Sequence, residues 1–168
     1  MTGRVKEFVE KFVSEKGPFG KVLEVGSMDV NGNVSGLFKD SEYTGTDMRE
    51  GPNVDRAING HDLLDHFTLE SFDCILCLET LEHDDFFWIT IENMRKLLKP
   101  GGWLVITVPS LNHPRHNHPN DYWRFLGPAM NSLLAEYEEL KVEEHVYAGQ
   151  SVDLPDAVLA YGRKPLKN

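Results

Sequence analysis

Apolar residues along this chain follow two periodicities that take turns. Val5, Phe8, Val9, Phe12 and Val13 recur at three- and four-residue spacing, placing them on one helical face, and Gly17-Pro18 ends that helix. Lys21 to Val25 is a short, nearly continuous apolar run, as in a strand buried on both faces. A polar, glycine-bearing loop (Ser27 to Asn33) leads to a short helix around Ser35 to Phe38. Strands are expected at Tyr43 to Asp47, Asp55 to Ile58 and Phe72 to Leu78. Asp84 to Leu98 returns to helical spacing, with Phe87, Ile91, Met94, Leu97 and Leu98 on one face, until Lys99-Pro100-Gly101-Gly102 stops it. A strand from Trp103 to Val108, a polar loop from Pro109 to Leu126 and a helix opened by Gly127-Pro128 and running to about Tyr137 follow. Strands near Leu140 to Tyr147 and Ala157 to Tyr161 finish the chain.

Strands that alternate with helices predict an α/β fold, a mainly parallel sheet covered on both faces. The last two strands are joined by about ten residues without helical spacing, which suits an antiparallel edge pair. With no repeat, low-complexity tract or linker, residues 1–168 read as a single domain.

Composition narrows the function. A hydrophobic content of 40% is ordinary for a globular protein, and no apolar run is long enough to span a bilayer. The segment from Thr2 to Lys16 carries too many charges to be a signal peptide. A net charge of −10 argues against a protein built to grip nucleic-acid phosphates. Cys74 and Cys77 lie three apart within one strand, so their side chains point to opposite faces and cannot bond to each other. Buried unpaired thiols fit a reducing, cytoplasmic setting.

The chemistry starts at Gly26, which follows the first strand, and at Asp47, at the tip of the second. An open α/β sheet holds a nucleoside in this way, with glycine admitting the ligand and the acid accepting hydrogen bonds from ribose. A dinucleotide site would need Gly-x-Gly-x-x-Gly, but Met28 and Asn31 occupy the second and third glycine positions and Asp29 adds a carboxylate. A ligand without phosphates fits better.

Four segments then carry a resemblance: Val-Leu-Glu-Val-Gly-Ser at 22–27, Tyr-Thr-Gly-Thr-Asp-Met at 43–48, Phe-Asp-Cys-Ile-Leu-Cys-Leu-Glu-Thr-Leu-Glu-His at 72–83 and Leu-Leu-Lys-Pro-Gly-Gly-Trp-Leu-Val-Ile-Thr-Val-Pro at 97–109. In this order the chain, from about Lys21 to Lys164, resembles the class I S-adenosylmethionine-dependent methyltransferases. The Asp-Tyr-Trp-Arg-Phe run at 121–125 is similar to a subgroup of their small members. The resemblance implies a Rossmann-like three-layer sandwich whose seven-stranded, mostly parallel sheet has the order 3-2-1-4-5-7-6, with strand 7 antiparallel. It implies S-adenosyl-L-methionine as cofactor; the residues themselves suggest no metal site. Gly26 and Ser27 would line its methionine part, Glu24 would help hold the ammonium, Asp47 would accept the ribose hydroxyls and Met48 would pack on adenine. The adenine amino contact falls on Asn59-Gly60-His61-Asp62, to Asn59 or, in a shifted register, to Asp62. Leu78 and Glu79 would flank the methionine moiety.

Methyl transfer from a sulfonium needs positioning more than a base, although a nitrogen or oxygen nucleophile must still lose a proton. His83, at the end of the fourth strand, and His118 are candidate bases; the plainer reading of His83 is a capping or surface residue. His113, His116 and His118 match no strong zinc pattern, and with Asp121 they read as the lining of an acceptor pocket. Tyr122 and Trp123 either face the pocket or anchor its loop. Arg124 either binds an acidic group of the substrate or pairs with one of the chain's own acids.

The leading expectation is methyl transfer to a small-molecule acceptor, with the 1–17 helix and the 109–126 loop as candidate covers and a homodimer suited to closing an open cleft. Competing readings are a cofactor-binding partner protein without catalysis, a methyltransferase acting on protein or nucleic acid, and a nicotinamide oxidoreductase. The last is opposed by Met28 and by the lack of a Tyr-x-x-x-Lys pair.

Overall fold

The computed structural model describes residues 3–116, 120–146 and 154–167. The elements are α1 (Gly3–Lys16), β1 (Lys21–Val25), β2 (Glu42–Asp47), β3 (Arg56–Ala57), α2 (Leu63–His66), β4 (Phe72–Leu78), α3 (Phe87–Leu97), β5 (Leu98–Pro109), α4 (Gly127–Leu133), β6 (Glu138–His145) and β7 (Ala157–Arg163). Single 3-10 turns stand at Ser35–Phe38, Gly60–Asp62 and Leu81–His83. The seven strands form one sheet in the order β3-β2-β1-β4-β5-β7-β6, and β7 runs antiparallel to both β5 and β6. This is the topology implied by the resemblance.

Pleating divides the core in two. Leu23, Val25, Ile75, Cys77, Leu104 and Ile106 face the layer of α2, α3 and α4, burying Leu63, Met94, Leu97 and Met130. The alternate residues, among them Val22, Cys74, Leu76, Trp103, Val105 and Tyr161, face α1. The two thiols therefore sit in different layers, as the strand reading requires. Phe12 stacks on Phe19 at 5.4 Å and meets the Trp103 ring edge-on at 5.8 Å, so α1 is fixed to the sheet face. Its first turn, with Arg4 and Val5, borders Glu79 just past the end of β4.

Several boundaries depart from the pattern reading. α3 starts at Phe87, because the Asp84 carboxylate accepts from Phe86 N at 2.9 Å and holds residues 84–86 in a turn. α4 stops at Leu133, where Tyr137 N bonds to the Leu134 carbonyl at 2.9 Å and opens a turn instead of another helical step. β5 begins at Leu98, ahead of the glycines, since Gly101 N reaches the Lys164 carbonyl and Lys164 N the Gly102 carbonyl, both at 2.8 Å. β3 shrinks to two residues, and the brief α2 carries no helical signature in so short a segment.

Candidate active site

The C-terminal ends of the parallel strands open into one cleft of about 540 Å³. Open α/β sheets place ligands here, at the tips where strand order reverses, because adjacent loops leave the sheet in opposite directions. Gly26 makes the first turn with φ of +77°, and Gly26 N and Ser27 N both donate to the Thr46 carbonyl, at 2.7 and 2.9 Å. A Cβ on Gly26 would stand 2.1 Å from Thr80 Oγ1, so glycine is required both by conformation and by the approach of the β4 tip. The following loop is stiffened by its own acid: Asp29 accepts from Gly32 N and Asn33 Nδ2, each at 2.6 Å, bonds that hold its carboxyl below the usual range.

Asn53 is the residue sequence reasoning missed on this side. It lies in an irregular loop at φ of +64°, and no pattern marks it. Its Nδ2 donates to the Ser27 carbonyl at 2.9 Å and reaches Glu24 Oε2 at 3.4 Å, while its own carbonyl accepts from Ser27 Oγ at 2.7 Å. Glu24 is buried and also accepts from the Tyr43 hydroxyl. Burial, only partly offset by those bonds, pushes its carboxyl up to about 7.

Along the cleft, Asp47 at the β2 tip accepts from Arg49 N at 3.2 Å, and Met48 beside it is largely exposed. Asn59, Gly60 and His61 line the wall beyond β3, whereas Asp62 points to solvent and is not part of it. The Asn59 side chain caps its own turn by accepting from His61 N at 2.9 Å. His61 Nε2 meets Asp84 at 2.7 Å, and Asp84 also accepts from Thr90 Oγ1 at 2.5 Å. Leu78, Glu79 and Thr80 form the floor where β4 ends. Glu79 adopts φ of +50°; burial and then the nearby Glu82 push its carboxyl up to about 7, and its Oε1 is left without a partner.

The opposite end of the cleft, over β4 and β5, is lined by His83, His113 and His116. Their rings form a chain, His83 to His116 at 4.9 Å and His116 to His113 at 5.0 Å between centroids. Behind them Glu82 is wholly buried, its Oε1 3.5 Å from His83 Nε2 and 3.6 Å from His116 Nε2. The Glu82 carboxylate raises the His116 pKa, while burial and the His116 ring lower that of His113. His118 lies outside the described residues. Glu82 was not singled out in the sequence, where it stands only within the 72–83 segment of the resemblance.

The other residues expected at the acceptor pocket hold the loop together. Arg124 grips Asp121 through two bonds of 2.5 and 2.6 Å, which keep the Asp121 carboxyl well below its usual range, and Asp121 also accepts from His116 N at 2.8 Å. Trp123 Nε1 donates to the Asp84 carbonyl at 2.9 Å, and its ring meets Phe87 at 5.5 Å. Tyr122 is tied by its N–H to the Glu82 carbonyl at 2.8 Å. None of Asp121, Tyr122, Trp123 and Arg124 lines the cleft.

Among the described residues the cleft wall offers five carboxylates, Glu24, Asp47, Glu79, Asp84 and Asp85, against a single arginine, Arg49. That balance suits a cationic ligand and opposes a pyrophosphate. A family described as a methyltransferase domain matches residues 1–144. The chain belongs to that family. Its fold is the class I S-adenosylmethionine-dependent methyltransferase fold, and the residues present fit that cofactor, a sulfonium that also carries an ammonium group.

Solved structures bear out the fold. A Burkholderia thailandensis 1,6-didemethyltoxoflavin-N1-methyltransferase with bound 1,6-didemethyltoxoflavin and S-adenosylhomocysteine superposes with a TM-score of 0.72 at 18% identity, over 97% of this methyltransferase and 77% of that chain. The N-methyltransferase NodS from Bradyrhizobium japonicum gives 0.66 at 22% identity, over 96% and 94%. A Haemonchus contortus phosphoethanolamine N-methyltransferase 2 in complex with S-adenosyl-L-methionine gives 0.70 at 13% identity; 96% of this chain is covered but only 52% of the worm enzyme, about half its length. No curated protein matches the sequence. Among the described residues no helix is long and apolar enough to cross a membrane.

Proposed function

We propose that this domain transfers a methyl group from S-adenosylmethionine to a small-molecule acceptor held at the histidine end of the cleft. The observation that carries this reading is a single cleft that runs from the Gly26 turn and the Glu24 and Asp47 carboxylates at the β1 and β2 tips to three imidazoles, His83, His113 and His116, over β4 and β5. When bound, the cofactor supplies a methyl group on a sulfonium that is already an activated leaving group.

The chain's own residues then bind and orient. Glu24 faces the ammonium group from the β1 tip, with Gly26, Ser27, Leu78 and Glu79 around the methionine part. Asp47 takes the ribose hydroxyls, fixed in orientation by the Arg49 N–H. Met48 lies on one side of the adenine, with Asn59, Gly60 and His61 on the other. The acceptor enters between His83, His113 and His116, and His113 is the imidazole placed to take a proton from an attacking nitrogen or oxygen. Alignment of acceptor and methyl group supplies most of the rate, because holding two reactants in line removes much of the entropic barrier.

A small acceptor is favoured over nucleic acid by the net charge of −10 and by the acidic cleft wall. The resemblance to small-molecule N-methyltransferases points the same way. The test is transfer of radiolabelled methyl from S-adenosylmethionine to a panel of small amines, alcohols and thiols, with the Asp47→Ala protein as control. Label on at least one small acceptor, absent with the control, is the expected result. Cofactor binding without transfer to any member, together with transfer to protein or RNA in the same assay, overturns the small-molecule reading.

A further inference from the structure

At the acceptor end, Glu82, His83 and His116 each offer a ligand atom, and these atoms all lie within 4.8 Å of one another. Three features set this group apart from a chance meeting of polar side chains. Glu82 is wholly buried, and neither of its carboxylate oxygens has a hydrogen-bond partner. Left so, a buried carboxyl group loses its water without compensation, which folded proteins rarely tolerate.

Both imidazoles, moreover, have the same nitrogen tied back. His83 Nδ1 bonds to the Asn120 carbonyl, and His116 Nδ1 to the Pro114 carbonyl at 3.3 Å. A carbonyl accepts only, so in the neutral ring the proton sits on Nδ1, and Nε2, on the Glu82 side, is the nitrogen left to ligate an ion. Fixing the far nitrogen of a histidine on a backbone carbonyl or carboxylate is how proteins orient metal ligands, and Asp121 Oδ2 also stands 3.7 Å from His116 Nδ1. Finally, the separations suit an ion. Ligands about 2.1 Å from a tetrahedral metal lie about 3.4 Å apart, and Glu82 Oε1 is 3.5 and 3.6 Å from the two Nε2 atoms.

We propose that Glu82, His83 and His116 bind one divalent transition-metal ion. A mixed set of imidazole and carboxylate selects ions of the manganese-to-zinc series over magnesium or calcium. His83 and His116 line the cleft, so the ion's open positions face the acceptor. There it holds a hydroxyl or amine of the acceptor and lowers the pKa of that group. This last role rests on the methyl-transfer reading; binding of the ion does not.

The experiment is titration of the chelator-stripped protein with Zn²⁺, Mn²⁺ and Co²⁺ by calorimetry, with the visible spectrum of the Co²⁺ form as a report on ligand geometry. One equivalent should bind. Glu82→Gln and His116→Gln should abolish binding, and Asp121→Asn, which only positions His116, should weaken it about 10-fold. S-adenosylhomocysteine binding by each variant shows that the fold and the cofactor end are intact. The proposal is overturned if the wild-type protein takes up none of the three ions. It also fails if Glu82→Gln protein that still binds S-adenosylhomocysteine retains full metal affinity, or if uptake is lost instead on Asp85→Asn, at the separate His61, Asp84 and Asp85 group.

Discussion

Glu24 links the cofactor site to pH in a way that can be measured. In the ligand-free protein its carboxyl sits at about 7, raised from an ordinary 4.5 chiefly by burial. A bound ammonium group favours the charged form and should return the carboxyl towards 4.5. Binding then expels a proton between those two values. If the whole shift is reversed, affinity at pH 8 exceeds that at pH 5 by about 70-fold, or about 2.5 kcal/mol, an upper bound from linkage. Calorimetry of S-adenosylhomocysteine in buffers of different ionisation enthalpy measures both the slope and the protons released. Glu24→Gln keeps an acceptor for the Tyr43 hydroxyl but cannot ionise, so its affinity should be weak and almost independent of pH over that window. The sign for stability is opposite. A carboxyl with a raised folded pKa stabilises the fold below its unfolded value, and that contribution is lost as pH rises through about 7. Glu24→Gln should therefore melt higher than wild type at pH 8, with little difference at pH 4. A wild-type affinity flat from pH 5 to 8, or a slope that survives in Glu24→Gln, refutes the reasoning.

Other substitutions test the scaffold. Gly26→Ala forces a side chain into a positive φ and onto Thr80 and should cost about 2–5 kcal/mol, seen as a lower Tm and lost cofactor binding; a Tm within a degree of wild type would contradict this. Arg124→Met removes the bidentate hold on Asp121 and should cost about 1 kcal/mol, lowering Tm by about 2–4 °C, while cofactor affinity stays unchanged. Cys74 and Cys77 are buried in opposite layers, and burial pushes both thiols well above their usual range. Neither should react with a thiol reagent until the protein unfolds, and rapid labelling of the native state would show the sheet to be looser than described.

The sheet was legible in the sequence because strands buried on both faces leave unbroken apolar runs, and the loops at their tips carry few-residue signatures such as Val25-Gly26-Ser27 and Gly45-Thr46-Asp47. Element ends were not, since hydrogen bonds from distant residues decide them. Lys164, sixty-odd residues away, is what draws Gly101 and Gly102 into β5. The same holds for the site. His113 and His116 come to the cleft as expected, because a loop leaving the tip of a central strand has nowhere else to go. Arg124 read as a substrate contact or as the partner of one of the chain's own acids, and Trp123 as pocket lining or loop anchor; each is satisfied within the protein, by Asp121 and by the Asp84 carbonyl. Asn53 and Glu82 were not singled out, because their places depend on burial and on residues that other loops bring beside them.

The most direct measurement is calorimetric titration of S-adenosylhomocysteine into the wild-type and Asp47→Ala proteins. Two hydrogen bonds from ribose hydroxyls to a carboxylate contribute about 1.5–3 kcal/mol each. Their loss should weaken binding about 100-fold or more. One equivalent bound by the wild type, and that loss in the variant, is the predicted result. No heat with the wild type, or equal affinity for the two proteins, would contradict a cofactor held along the tips of β1, β2 and β4.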